Sequence, residues 1–126
     1  MTTTTRSILV VDDDDALRSM MCIVLSVAGY TAEGAADGLE ALKRLRTSEP
    51  PALIIVDLMM PKMDGYTLIR AMSSDTSLAQ IPVAIISGQT TAQAPAPGPQ
   101  VIAHMVKPVE LDDLLELVHQ VAGRPH

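Results

Sequence analysis

Short apolar runs alternate along the chain with longer patterns of helical spacing. The runs Ser7–Val11 (SILVV), Leu53–Val56 (LIIV) and Val83–Ile86 (VAII) carry Ile, Val and Leu with no polar residue at alternate positions, the pattern of strands covered on both faces. Thr31–Ala35 and Val101–Val106 complete five predicted strands. A first helix is expected from Asp14 or Asp15, either of which can cap the free amides of a first turn. It buries Leu17, Met20, Met21, Val24 and Leu25 before Gly29 ends it. A second is expected over 37–46, with Leu39, Leu42 and Leu45 three apart, stopping before Pro50 and Pro51. A third covers 66–74 and a last 111–121. This alternation implies an α/β fold: a parallel sheet with helices on both faces, joined by right-handed crossovers.

One interval breaks the rhythm. From Gly88 to Gln100 the sequence GQTTAQAPAPGPQ has no Val, Ile, Leu or Met and sets Pro95, Pro97 and Pro99 at alternate positions. A packed amphipathic helix is unsupported there, and an irregular connection is expected.

Length and composition narrow the class. At 126 residues and 48% hydrophobic content, the chain suits one domain with one functional site, set over 7–122 between a flexible N-terminus at 1–6 and a C-terminal tail at 123–126. With no Phe or Trp and only Tyr30 and Tyr66 as aromatics, the core must be aliphatic, helped by 8 Met. A net charge of -6 with scattered Lys43, Lys62 and Lys107 argues against direct nucleic-acid binding. The lone Cys22 reads as a small hydrophobe within a helix, which sets zinc and thiol chemistry aside. No apolar run approaches the roughly 18 residues that span a bilayer, and the opening MTTTTR lacks a signal sequence, so a cytoplasmic location away from membranes is expected.

In an open parallel sheet, ligands bind beyond the carboxyl ends of the strands. The first predicted strand ends in Asp12-Asp13, the third in Asp57, the fourth in Ser87 and the fifth in Lys107-Pro108, so these residues are expected at one rim. Three carboxylates together repel unless a cation joins them, and a small hard ion with oxygen ligands, magnesium, answers that demand. One carboxylate can then attack a phosphoryl group while the metal and a lysine neutralise the transferring oxygens. Asp57 and Lys107 suit those two roles. An EF-hand is excluded, since Leu17 and Ile23 stand where its glycine and final glutamate belong.

The segments ILVVDDDDALR (8–18), LIIVDLMMPKMDG (53–65), VAIISG (83–88) and VKP (106–108), in that order, resemble the receiver domains of two-component response regulators from Ser7 to Val121. The resemblance implies a flavodoxin-like, doubly wound five-stranded sheet of order 2-1-3-4-5, with 88–100 at the place of the family's fourth helix, here shortened or irregular. It makes Asp57 the phosphoacceptor. Asp12, Asp13, Asp57 and the backbone carbonyl of Met59 become the protein's magnesium ligands, Ser87 the switching hydroxyl and Lys107 the partner of a phosphoryl oxygen. Pro108 would make the Lys107-Pro108 bond cis. Pro61 and Gly65 would shape the loop after the phosphoacceptor, the glycine by taking backbone angles other residues resist, with Lys62 and Asp64 as loop surface. Implied partners are a histidine kinase or histidine phosphotransfer protein and an unidentified downstream protein, with pairing to a second copy left open. No effector domain follows Val121, so a stand-alone receiver is expected.

Three departures qualify the resemblance. His104 stands three before Lys107, where the family usually carries a Tyr or Phe that moves inward; it is either a moving ring with near-neutral titration or a static surface residue. By the resemblance, Met59 and Gln89 stand two beyond the phosphoacceptor and two beyond the hydroxyl, where the family's residues influence how fast water removes the phosphoryl group, and an uncharged Met59 implies intermediate or slow loss. The altered 88–100 interval leaves a phosphorylation-independent docking module as an alternative. An Asp-dependent phosphohydrolase using Asp12 and Asp14 is a further one, opposed by Ala16 at its usual hydroxyl position and by the lack of a cap domain.

Overall fold

Five strands, β1 (Ser7–Val11), β2 (Thr31–Ala35), β3 (Leu53–Asp57), β4 (Val83–Ser87) and β5 (Val101–Val106), form one parallel sheet of order β2-β1-β3-β4-β5. Helices α1 (Asp15–Val27), α2 (Gly38–Thr47), α3 (Gly65–Ser73) and α4 (Leu111–Ala122) cover it. The structure is a computed structural model describing residues 7–47, 49–60, 63–88 and 100–123. The flexible stretch expected at 1–6, Pro61, Lys62, Gln89, the proline-rich connection with its shortened fourth helix, and the tail beyond Gly123 lie outside the described residues. The fourth helix described is the C-terminal one.

Side-chain alternation along the central strands builds two cores. Leu9, Val11, Ile54, Val56, Val83 and Ile85 face α2 and α3, where Leu42, Leu45, Leu68 and Met72 close the layer. Ile8, Val10, Leu53, Ile55, Ala84 and Ile86 face the other way, onto Met21 and Leu25 of α1 and Leu114 and Val118 of α4. Residues that alternate in direction but are all apolar are what a two-sided sheet requires. The expectation of strands buried on both faces holds for β1, β3 and β4, and the two edge strands differ from them. Strand β5, and β2 up to the buried Ala35, alternate between half-buried and exposed positions, because an edge strand has a neighbour on one side only.

The helix ends follow local chemistry. Asp14 is the N-cap of α1, its carboxylate accepting the Leu17 amide at 3.1 Å. At the other end Gly29 takes φ 103°, the Gly29 amide donates to the Ser26 carbonyl and the Tyr30 amide to that of Leu25. That pair of bonds closes the helix by the Schellman pattern, and it delivers Tyr30 into the core, where its hydroxyl donates to the Gly123 carbonyl at 2.7 Å. The core is thus aliphatic apart from this one buried ring. Cys22 is half-buried beside the same core, and burial raises its thiol pKa. Gln100 is buried at the start of β5. Its side chain accepts from the Ser73 hydroxyl at 2.8 Å and donates to the Ile81 carbonyl at 2.9 Å, tying the strand to the turn after α3.

Of the residues expected in the core, Val24 is only half-buried and two others are exposed. Met20 is 40% exposed and Leu39 is 53% exposed. Successive helical residues are rotated by about 100°, so Met20 stands roughly that far round from Met21, at the margin of the stripe that Met21 and Leu25 centre. A strict spacing of three drifts by about 60° per step. The buried stripe of α2 runs through Gly38, Ala41, Leu42 and Leu45, leaving Leu39 on its outer rim.

Leu42→Ala is therefore expected to lower stability by about 2–5 kcal/mol, and Leu39→Ala by less than about 0.5 kcal/mol. Urea denaturation midpoints of the two variants test the difference.

Candidate functional site

Parallel pairing decides which residues meet at the carboxyl edge of the sheet. Val11 lies opposite Val56, so Asp12 falls beside Asp57 at the next position. Asp57 in turn pairs with Ile86, and Ser87 with Val106, one residue before Lys107. The ladder continues past the strand ends through the Leu58 amide to the Ile86 carbonyl at 3.1 Å and the Lys107 amide to the Ser87 carbonyl at 2.8 Å. Four separated strand ends are thereby fixed to one another by backbone bonds.

Within that edge, oxygens of Asp12, Asp13 and Asp57 all lie within 4.8 Å of one another. Asp12 and Asp57 are buried and Asp13 is exposed. The Lys107 ammonium stands 3.1 Å from Asp57 Oδ2 and 3.4 Å from Asp12 Oδ2. Buried carboxylates demand such a partner, because desolvation opposes their charge. Asp57 Oδ1 also accepts the Met59 amide at 3.1 Å, and Asp12 Oδ1 the Asp14 amide at 2.9 Å. Asp12 Oδ2 is the exception: it is buried and receives no hydrogen bond, its contact with Lys107 being an ion pair without bonding geometry.

The charges show in the acid–base balance. Burial, reinforced by the neighbouring Asp57 charge, raises the pKa of Asp12 against the opposing pull of the Asp14 amide and Lys107. For Lys107, burial acts downward but is outweighed by its hydrogen bond to Asp57 and by the Asp12 and Asp57 charges, so its pKa is raised. Above the ordinary aspartate range the unfolded chain carries Asp12 charged at little cost, whereas the folded chain charges it against burial. Stability therefore falls as pH rises through the ionisation of Asp12 in the fold. A set of three carboxylates with one buried, unbonded oxygen fits a small hard cation such as magnesium, which takes oxygen ligands.

The remaining predicted residues divide. Ser87 is buried at the end of β4, against the cluster's own strand ends. The Lys107-Pro108 bond is cis, as expected. Met59 offers its amide to Asp57 while its side chain is 73% exposed. His104 is not brought to the cluster; it sits within β5 opposite Ile85 and is exposed. Asp14 is exposed and caps α1, and the carboxylate group at the sheet edge is made of Asp12, Asp13 and Asp57 instead. Asp64, expected as loop surface, is the N-cap of α3 and accepts the Thr67 amide at 2.8 Å. Gln89 lies outside the described residues.

Gly65 corrects a further expectation. Its φ is not positive, so backbone freedom is not its reason. A Cβ there would stand 2.7 Å from the Asp57 carbonyl oxygen and 2.8 Å from Leu58 Cα, so the glycine lets α3 start directly against the end of β3. The sequence reading missed Arg18, whose guanidinium donates to the backbone carbonyl of Asp12 at 2.7 Å and pairs with Asp15. Its spacing of three from Asp15 signals the ion pair, but nothing in the sequence signals the bond to Asp12.

The family model for the response regulator receiver domain matches residues 8–119. Among curated relatives, the DNA-binding dual master transcriptional regulator RpaA of Synechocystis is 33% identical over 119 residues, covering 93% of this chain and 49% of that protein. Response regulator MprA of Mycobacterium ulcerans is 36% identical over 119 residues, covering 93% and 50%. The chain thus spans about half the length of the curated relatives it matches. Of the solved structures, the Vibrio cholerae chemotaxis protein CheY4 matches with a TM-score of 0.85 at 29% identity, over 94% of this chain and 99% of that one. A response regulator receiver protein from Pseudomonas putida matches at 0.83 and 30% identity, over 94% and 99%.

Two outcomes follow from the geometry. Gly65→Ala is expected to cost about 1–3 kcal/mol by overpacking, whereas Gly34→Ala, whose new methyl has its three nearest atoms on the flexible side chain of Arg18, costs less; chemical denaturation distinguishes them. Asp12→Asn, by removing a buried charge, is expected to raise Tm without added metal by on the order of 4 °C, the effect of ~1 kcal/mol in a domain of this length. Scanning calorimetry reads it, and an unchanged or lower Tm contradicts it.

Proposed function

This chain belongs to the response regulator receiver domain family, and from that premise we propose that it is a phosphoacceptor switch whose acceptor is Asp57. The observation that carries the reading is the buried Asp57 carboxylate, bonded to Lys107 and grouped with Asp12 and Asp13. The donor is the phosphohistidine of a histidine kinase or histidine phosphotransfer protein. A carboxylate oxygen of Asp57 bonds to phosphorus as the bond from phosphorus to the donor imidazole breaks, and the imidazole leaves with that electron pair.

In this reading the side chains of Asp12, Asp13 and Asp57 and the Met59 carbonyl hold magnesium. When bound, magnesium neutralises charge on the carboxylates and on the phosphoryl oxygens. Lys107, now held by two carboxylates, moves its ammonium onto a phosphoryl oxygen, while the Ser87 hydroxyl donates to another and draws the end of β4 inward. Pro108 sets the direction in which Lys107 leaves β5. Met59 brings no charge or proton acceptor toward attacking water, which favours an aspartyl phosphate of intermediate or slow loss, with Gln89 as the second modulating position. His104, on the exposed face of β5, is read as an output position in place of the usual aromatic.

The receiver unit is taken as 7–122, acting in the cytoplasm through phosphorylation-dependent protein contacts, with no direct nucleic-acid binding and with self-pairing as one form of output. No helix among the described residues is long and apolar enough to cross a membrane. Action as a single-domain switch is the first reading. A receiver joined to an output domain is the second reading, favoured by the double length of RpaA and MprA; the mass of the native protein in cell extract separates the two.

Incubation with acetyl phosphate and Mg²⁺ is expected to add one phosphoryl group to the wild type and none to Asp57→Asn, read by intact-mass spectrometry. Lys107→Ala should slow that reaction by on the order of 10²-fold, the effect of losing one charge-stabilising donor. A phosphorylated Asp57→Asn protein would overturn the assignment.

A further inference from the structure

We propose that Arg18 is a positioning residue for the cation site, holding the peptide between Asp12 and Asp13 so that both carboxylates face Asp57. The inference rests on the reading that these three aspartates bind a divalent cation. The carbonyl oxygen that Arg18 grips at 2.7 Å belongs to that peptide, and the orientation of the peptide determines where the Asp13 side chain leaves the backbone. The other arm of the guanidinium is fixed on Asp15 in the first turn of α1. On the far side the Asp12 amide donates to the Ala35 carbonyl at 3.1 Å. Asp12 is thus held at its amide by β2 and at its carbonyl by α1, and its side chain is turned by the Asp14 amide.

The neighbouring strand makes room for the clasp. A Cβ at Gly34 of β2 would stand 2.9 Å from Arg18 Cδ and 3.0 Å from Cγ, so the stem crosses the strand where no side chain obstructs it. Arginine suits the task because its planar fork reaches two acceptors in fixed geometry, which the single ammonium of lysine does not.

Charge and position predict opposite signs. A cation beside the site opposes Mg²⁺ by Coulomb repulsion, so simple loss of the Arg18 charge would tighten metal binding. Loss of the clasp loosens it, and removal of an outer-shell partner of this kind weakens metal affinity by about 10-fold or more.

The test is a Mg²⁺ titration of the full chain followed by backbone amide NMR shifts, paired with phosphorylation rates in acetyl phosphate as a function of Mg²⁺. Arg18→Met and Arg18→Lys are both expected to bind Mg²⁺ about 10-fold more weakly, with the phosphorylation rate at saturating Mg²⁺ near that of wild type. A general structural defect would depress that limiting rate as well. Gly34→Ala, which displaces the stem without changing charge, shifts affinity in the same direction and carries the test alone if the Arg18 variants do not fold. Unchanged or tighter binding in Arg18→Met, or wild-type affinity in Arg18→Lys, overturns the proposal. A wild type whose resonances ignore Mg²⁺ refutes the cation site itself, whereas failure of the Arg18 arm alone leaves that site standing.

Discussion

Asp12 and Asp57 are buried side by side at the carboxyl edge of the sheet, and the ammonium of Lys107, 3.4 Å from Asp12 and 3.1 Å from Asp57, faces both. Buried charges are tolerated only when paired, and one lysine against two carboxylates is an incomplete pairing. Burial, with the Asp57 charge behind it, raises the pKa of Asp12, and its Oδ2 is left buried and unbonded. A site with surplus negative charge favours a divalent cation, and the same surplus weakens the fold when the cation is absent. Under the proposed function, stability and activity are set against each other at one cluster, as is common where activity needs a strained site.

The surrounding structure keeps the imbalance from relaxing. The three central strands are apolar on both faces, so β1, β3 and β4 cannot shift register by one residue without moving a polar strand end into the core. Gly65 adds a second restraint by allowing α3 to pack against the end of β3 at backbone distance. The carboxylates are consequently held close by the cost of disturbing two cores rather than by any attraction between them.

Lys107 is carried differently. It follows β5, an edge strand with a half-exposed face that displays Ile102, His104 and Val106. In the proposed switch Lys107 exchanges carboxylates for a phosphoryl group, a movement that an edge strand hinders less than the packed centre of the sheet does. Ser87 links the two regimes: it ends the buried β4 while its carbonyl accepts the Lys107 amide.

The apolar runs and strand-end polar residues specified the fold class, the five strands and the identities of Asp12, Asp13, Asp57, Ser87 and Lys107, because periodicity and position after a strand are local properties of the chain. The rotational position of Met20 and Leu39 was beyond it, since a residue at the margin of an apolar stripe is buried or exposed according to what packs against that helix. Gly65 was legible as special but for the wrong reason, the close approach being a relation between two segments. The clasp of Arg18 on Asp12 depends on the gap that Gly34 leaves in a different strand. The imbalance of charge was countable from the sequence, but its strength was decided by tertiary burial: a carboxylate's cost depends on the water it has lost, and only the packed sheet determines that.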